Sequence, residues 1–232
     1  MNAQPGMALK PDIWLGERLG KPAWRLTQTG RELETVPLPR ETPCFSDVRV
    51  PVNEIEVANR LQCAGFRLID TSIQLERAIW PAGSSRTSRF AIPEDKAAVQ
   101  RIAEHSFTFS RFHLDPAIPK SAADRIKRDW AGNFFTGGRG DAMVVSVIDG
   151  EIAGFLQLLH QGDVLTIDLV AVDARFRGKG LASDMIRFAE TEIQGVQRLK
   201  VGTQAANARS LHTYVADKFQ FMNATYIFHF HG

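Results

Sequence analysis

From Asp173 to Ala182 the chain runs DARFRGKGLA, in which Arg175, Arg177 and Lys179 interleave with Gly178 and Gly180. The preceding stretch, VLTIDLVAV at 164–172, is β-branched and apolar with Asp168 as its single charge, a pattern that predicts a largely buried strand. An amphipathic run opens after the glycines with Leu181 and Ala182, and predicts a helix. A strand, a basic glycine turn and a helix N-terminus together present bare backbone N–H groups to a phosphate. The glycines matter sterically, because a Cβ at 178 or 180 would hold an anion away from the amides. Each cation adds charge-assisted hydrogen bonds of about 1.5–3 kcal/mol. The spacing is not that of a Walker loop, and Gly178-x-Gly180 lacks the third glycine of a dinucleotide fingerprint.

The elements that deliver this turn are legible. Ala142 to Ile148, an Asp149-Gly150 turn, and Glu151 to Leu159 form the strongest hairpin signal in the chain. Gln161-Gly162-Asp163 turns again into the strand at 164–172. Ahead of them lie a helix from Pro93 to about Glu104 and another capped by Ser121, with Ile126, Trp130 and Phe134 on one side. The TGGRGD stretch at 136–141 is expected to be a loop whose RGD triplet is chance. Beyond the turn come a helix burying Leu181, Met185, Phe188 and Ala189, a strand from Arg198 to Gln204, a helix from about Ala206 to Asp217, and a strand from Phe219 to Phe230. Residues 80–90, WPAGSSRTSRF, are the best linker candidate. They divide an N-terminal α/β unit (1–85) from a larger unit (86–232). In the first unit Asn53 is expected to cap a helix to Cys63, with Gly65 ending it before a strand at 66–75. The order helix, aromatic, strand at 53–75 recurs loosely at 207–230, so the first unit is expected to be a degenerate half-copy that shapes an acceptor pocket.

Composition narrows the partners. The chain has 232 residues, 44% hydrophobic and 23% charged, as in ordinary globular proteins. A formal net charge of +2 is too weak to argue for nucleic acid but suits a small anion at a local basic cluster. Cys44 and Cys63 match no metal or redox spacing, and no metal is expected. With no apolar leader and no run near the ~20 residues of a membrane span, a cytoplasmic protein without membrane contact is expected.

Arg175, Gly178 and Gly180 fit R-x-x-G-x-G/A, and the element order is helix, helix, three meandering strands, helix, strand, helix, strand. In both respects the chain resembles the GCN5-related N-acetyltransferases (GNAT). The resemblance implies an α/β (α+β) fold: a central mixed, mostly antiparallel, splayed sheet flanked by helices, preceded here by the smaller α/β unit. It also implies acetyl-CoA as donor, with its pyrophosphate on Arg175, Arg177, Gly178, Lys179, Gly180, Leu181 and Ala182. Leu169, Val170 and Val172 would line the pantetheine arm, and an N–H near Val170 would face the thioester oxygen. Asp168, directly or through a water chain, would act as base. NARSLHTY at 207–214 is similar to the family pattern N-x-x-A/S-x-x-x-Y, so Asn207 would contact pantetheine and Tyr214 would protonate the leaving sulfur. Lys218 stands where relatives usually carry glycine before the Phe, which puts the helix end in question.

SRFHLDPAIPKSAADRIKRDWAGNFF, with AGFRLIDTSIQLE, further resembles the N-acetyltransferases of nucleotide-linked amino sugars, the dTDP-fucosamine acetyltransferase type. That resemblance places Arg111, Phe112 and His113 beside a small-molecule amine acceptor, an amino sugar carrying a nucleotide. Another small amine, a protein N-terminus, or a non-catalytic acyl-CoA sensor are the alternatives. The aromatic tail YIFHFHG either completes the sheet or pairs with a second subunit in a homodimer.

Overall fold

In the computed structural model, residues 6–29, 36–80, 83, 85 and 87–232 are described. The elements are β1 (Gly6–Pro11), α1 (Ile13–Leu19), β2 (Ala23–Thr29), β3 (Phe45–Pro51), α2 (Ile55–Cys63), β4 (Arg67–Ala78), β5 (Ser88–Phe90), α3 (Lys96–Ser106), the single turn α4 (Arg111–Leu114), α5 (Lys120–Gly132), β6 (Ala142–Ile148), β7 (Glu151–Gln161), β8 (Val164–Val172), α6 (Leu181–Glu192), β9 (Arg198–Gln204), α7 (Ala208–Ala216) and β10 (Gln220–His231). From α3 onward they follow the expected order apart from the single turn α4, whereas α1 and β5 were not expected, β5 lying in the stretch read as a linker; the Asp149-Gly150 turn takes positive φ at both residues, as a tight hairpin demands. Residues 81, 82, 84 and 86 of the expected linker lie outside the described residues. The helix expected to start behind Asn53 begins at Ile55, and no side chain caps it.

The strands form one sheet, β1-β2-β3-β10-β4-β9-β8-β7-β6-β5. Pairs β2/β3 and β8/β9 are parallel and the others antiparallel, the mixed sheet that was expected. One face is covered by α2, α6 and α7, which pack Leu61, Met185, Ile186 and Tyr214 against it. The other is covered by α1, α3, α4 and α5 through Leu15, Val99, Ile102, Phe112 and Ile126. No helix among the described residues is long and apolar enough to cross a membrane.

The division at residue 85 does not separate two sheets. The C-terminal β10 lies between β3 and β4, and β4 lies between β10 and β9, so each half lends its last strand to the other. The tail is therefore an interior strand and offers no edge for a second subunit. The expected internal echo has structural content. Phe66 N–H donates to Leu61 C=O (3.0 Å) at the end of α2, as Phe219 N–H does to Tyr214 C=O (2.9 Å) at the end of α7. The connecting residues, Gly65 (φ +94°) and Lys218 (φ +65°), are both left-handed. Lys218 thus keeps the cap that relatives make with glycine, at a cost of about 1 kcal/mol, and the helix end is not reshaped.

Asp115 ties β10 to the segment between α4 and α5. Its Oδ2 accepts from His229 Nδ1 (2.6 Å) and His231 Nε2 (2.8 Å), and its Oδ1 from the Ala117 amide. These three side chains have the proximity of a metal-ligand set. However, Lys21 Nζ lies 3.2 Å from His231 Nδ1, so that nitrogen accepts and Nε2 carries the proton given to Asp115. The contacts to Asp115 are thus made as hydrogen bonds, while the buried His229 Nε2 has no partner among the described residues.

Burial lowers the His229 pKa despite its bond to Asp115, and burial's upward push on Asp115 is outweighed by the two histidines, which hold it below the usual carboxylate range. Both depressed values act in the same direction. The His229 contribution is complete above its ordinary pKa of 6.5 and declines as pH falls below it; that of Asp115 follows in stronger acid. The melting temperature is expected to fall between pH 7.5 and 5.5, and to fall less in His229→Gln. Asp115→Ala should cost about 3 kcal/mol in urea denaturation at pH 7.5, since two histidine donors, the fully buried His229 and the partly buried His231, lose their acceptor. An equal acid response in wild type and His229→Gln would remove His229 from this role.

Candidate functional site

The site is created where β8 and β9 part. Their parallel pairing runs from Val164↔Arg198 to Ile167↔Val201 and then stops, although β8 continues to Val172 and β9 to Gln204. The break coincides with a β-bulge. Against β7, Ile167 pairs with Leu158 and Leu169 with Gln157, leaving Asp168 as the extra residue. Bulges bend a strand and re-aim its side chains. Before this one, Leu165 and Ile167 join the core under α6; after it, Leu169 and Ala171 join the core under α3, while Val170 and Val172 pack on the α6 side.

The parting exposes main chain. Asp173 N–H bonds Ala153 C=O (2.9 Å), which makes 173, and by alternation 171 and 169, the residues that bond to β7. The N–H and C=O of Val170 and Val172 therefore point into the gap. The Val172 carbonyl accepts from Arg177 Nε (3.1 Å).

A cavity of about 440 Å³ occupies the gap. Val170 and Val172 form one wall, Asn207 and Tyr214 of α7 another, and Phe107 to Ser110 a third. Its floor is the turn: Arg177, Gly178, Gly180, Leu181, Ala182 and Ser183. Gly178 (φ +79°) and Gly180 (φ +74°) are left-handed, and a Cβ on either would meet no protein atom within 4 Å. Only conformation and whatever fills the cavity exclude a side chain there. Gly180 provides no capping side chain for α6, so the first-turn amides have no such acceptor and are free for an anion.

Of the three expected cations, only Arg177 lines this cavity. Arg175 is held by Asp173 (3.2 Å) and Glu151 (3.0 Å) and faces a separate open depression with Arg101. Lys179 is exposed, its ammonium 5.3 Å from the Phe176 ring. Arg209, not anticipated, also lines the cavity; its place two residues past Asn207 was the available signal. Leu169 faces the opposite core and does not border the gap.

Asn207 caps α7 by accepting the Ser210 amide (3.2 Å), which leaves its Nδ2 donors for a ligand. Tyr214 is 7% exposed. Burial, with the Asp217 charge, raises its pKa above that of an ordinary phenol, so it stays protonated across the neutral range. Its hydroxyl has no hydrogen bond to a described residue.

The base expected of Asp168 is not what its surroundings favour. Its carboxylate accepts from Arg139 Nε (2.8 Å) and Nη2 (2.5 Å), Trp130 Nε1 (2.9 Å) and Gln157 Nε2 (2.9 Å). A carboxylate so fully engaged pins the bulge, its oxygens turned to Arg139, Trp130 and Gln157, and it does not line the cavity. The partner came from the RGD triplet dismissed as a chance loop. The acceptor trio also changes. Phe112 is core, packed with Leu15, Phe45 and Ile126. Arg111 is buried against Asp47 (2.6 Å), and His113 is held between Ser110 Oγ (2.6 Å) and Asp124 (3.0 Å), its pKa lowered by burial.

The fold is a splayed mixed sheet with a helix N-terminus under the gap. The profile of the acetyltransferase (GNAT) family matches residues 98–219, and the chain belongs to that family. It is 31% identical over 192 residues to the spore coat polysaccharide biosynthesis protein SpsD of Bacillus subtilis (strain 168). That match covers 80% of this chain and 66% of the relative, a little under two thirds of its length. The fold is similar to that of a GCN5-related N-acetyltransferase from Kribbella flavida (TM-score 0.60, 12% identity, 100% of this chain and 89% of that one). It is also similar to a tandem GNAT protein from the clavulanic acid biosynthesis pathway (TM-score 0.56, 12% identity, 90% and 75%).

If the turn seats a diphosphate, Gly180→Ala should weaken CoA binding about tenfold. Gly137→Ala, at a similar φ of +70° but away from the cavity, should cost the same ~1 kcal/mol of stability with no effect on CoA. Titration calorimetry of both variants separates ligand exclusion from backbone strain; equal CoA affinities would refute the assignment.

Proposed function

We propose that the protein transfers the acetyl group of acetyl-CoA to the primary amine of a nucleotide-linked amino sugar, by direct attack in a ternary complex. The observation that carries this reading is the convergence of three features on one cavity: the uncapped helix with its glycine turn, the unpaired Val170 main chain, and the Tyr214 hydroxyl. The sugar class is supported by the resemblance of 110–135 to amino-sugar acetyltransferases and by the relative named for polysaccharide biosynthesis.

In this mechanism the amides of Gly180 to Ser183 and Arg177 hold the donor's pyrophosphate. Val170 and Val172 offer main-chain partners to the pantetheine arm, as an added strand would. The amine nitrogen attacks the thioester carbonyl carbon, and the Val170 N–H donates to the oxygen as it gains charge, worth about 3 kcal/mol of barrier. The C–S bond then breaks, with the electron pair leaving on sulfur. Tyr214 donates to that sulfur. Its raised pKa lies well above the ~8.5 of a thiol, so outright proton transfer is uphill and the phenol acts as a hydrogen bond that strengthens as the thiolate forms. The amine's proton leaves to water, since Asp217, hydrogen-bonded by Ser183 (3.1 Å), is the one carboxylate lining the cavity among the described residues.

Release of free thiol from acetyl-CoA over a panel of amines and thymidine or uridine diphosphate amino sugars tests the reading; tight CoA binding with no turnover on any amine would reject it. Tyr214→Phe should lower kcat about a hundredfold with CoA affinity within about twofold. Asp168→Asn should weaken CoA and reduce turnover together, through a disturbed bulge, while the pH–rate profile keeps its shape. Loss of that profile's acidic limb would restore Asp168 as the base.

A further inference from the structure

Register fixes which side chains look out from the sheet beneath α4 and α5. Arg49, Ile227 and Asp70 stand directly opposite one another across β3, β10 and β4, and Gln74 stands opposite Gly202 across β4 and β9. The alternate residues Val48, Val50, Ile73, Leu75 and Val201 pack on the other face. Gln74 fills the space a Cβ on Gly202 would need and donates to Ser72 (3.2 Å). The strip between β3 and β8 thus carries Asp70, Ser72 and Gln74 beside the buried Ile227, and Gly202 adds no side chain to it.

Four cations border it. Arg111 pairs with Asp47 (2.6 Å) and Arg139 with Asp168 (2.5 Å). The Lys127 ammonium lies over the rings of Phe107 (4.8 Å) and Trp130 (4.9 Å), and the Arg139 guanidinium also lies over Trp130 (4.8 Å). Lys127 is only 9% exposed, yet neither it nor Arg49 has a hydrogen bond or ion pair among the described residues. Desolvation lowers the pKa of both, as does repulsion from Arg111 and Arg139, against the attraction of Asp168 for Lys127 and of Asp47 for Arg49; the net effect brings Lys127 down to about 8. Gathering like charges with too few carboxylates is costly unless an anion completes the set. Phe107 lines the donor cavity as well, so cavity and basin share a wall.

We propose that this basin, bounded by Arg49, Arg111, Lys127 and Arg139, seats a phosphate or diphosphate group of the acceptor. It rests on the acetyl-transfer reading above. The anion would sit across the parted strands from the donor's own pyrophosphate, leaving the amine between them. The N-terminal unit then contributes to acceptor binding through Arg49 and through Asp47, which positions Arg111.

The test uses protein saturated with CoA, so that the phosphate turn is filled, titrated calorimetrically with inorganic pyrophosphate, thymidine diphosphate and inorganic phosphate. One further site is expected, weakened about tenfold or more by Arg49→Gln and by Lys127→Met, with CoA affinity unchanged. Arg49 is exposed, so its variant reports even if Lys127→Met misfolds. Stronger binding of thymidine diphosphate than of phosphate selects a nucleotide diphosphate; equality selects a phosphomonoester. Absence of binding to the CoA complex, or affinities unchanged in Arg49→Gln, overturns the basin. Equal kcat/KM for a phosphate-free amino sugar and its nucleotide-linked form also overturns it while leaving acetyl transfer intact. Failure of every amine to turn over, with pyrophosphate still bound in the CoA complex, removes the transfer reading and keeps the anion seat.

Discussion

The structure depends on a pairing that is abandoned: β8 and β9 run parallel for four residue pairs and then separate. A parallel ladder buried on both faces does not part without compensation, because its freed N–H and C=O groups lose their partners. Here the compensation lies on β8 itself. The bulge at Asp168 swings the strand away from β9, and four N–H donors from Arg139, Trp130 and Gln157 lock the extra residue in place. The main chain of Val170 and Val172 is left facing a cavity, where a ligand with amide groups can satisfy it.

The other side of the gap is held open by strand exchange. Because β10 lies between β3 and β4, and β4 between β10 and β9, neither half of the chain closes its own sheet. The two helix–strand units also differ where it matters. Leu61 occupies in α2 the place that Tyr214 occupies in α7, and it is fully buried in an apolar cluster, whereas Tyr214 borders the cavity. One copy keeps the helix-strand unit as packing and the other uses it as a site wall.

Much of this was legible because it depends on local rules. The hairpin at Asp149-Gly150, the strand and glycine turn at 164–180, and the order of the last five elements follow from periodicity and turn chemistry, and the boundaries of β6, β8 and β9 match their expected ranges. What escaped was non-local. No pattern in VLTIDLVAV announces that its alternation reverses at Asp168, since the reversal is set by pairing with β7. For the same reason Leu169 was expected at the cofactor, and Phe112 at the acceptor when it belongs to the core with Phe45. Arg175 fitted a phosphate motif by type and spacing, but Asp173 and Glu151 hold it elsewhere. Arg139 was hidden by a loop with no periodicity, and Arg49 by a strand whose outward face becomes a basin only once α5 lies over it.

The placement of charge also has a physical logic. The glycine turn presents main-chain amides and a helix terminus, and its flanking Arg175 is neutralised by two carboxylates. Fixed dipoles of this kind hold a diphosphate in one register and add little long-range field. In the proposed basin the same economy is absent: Arg49 and Lys127 make no ion pair and, with Arg111 and Arg139, draw on the same two carboxylates, Asp47 and Asp168. A chain of net charge +2 thereby concentrates positive potential on one side of the gap. Such a field draws an anion from solution and orients it before contact. It would also disfavour a cationic group lodged in the basin itself, so an acceptor whose amine stands apart from its phosphates is the shape that satisfies both demands.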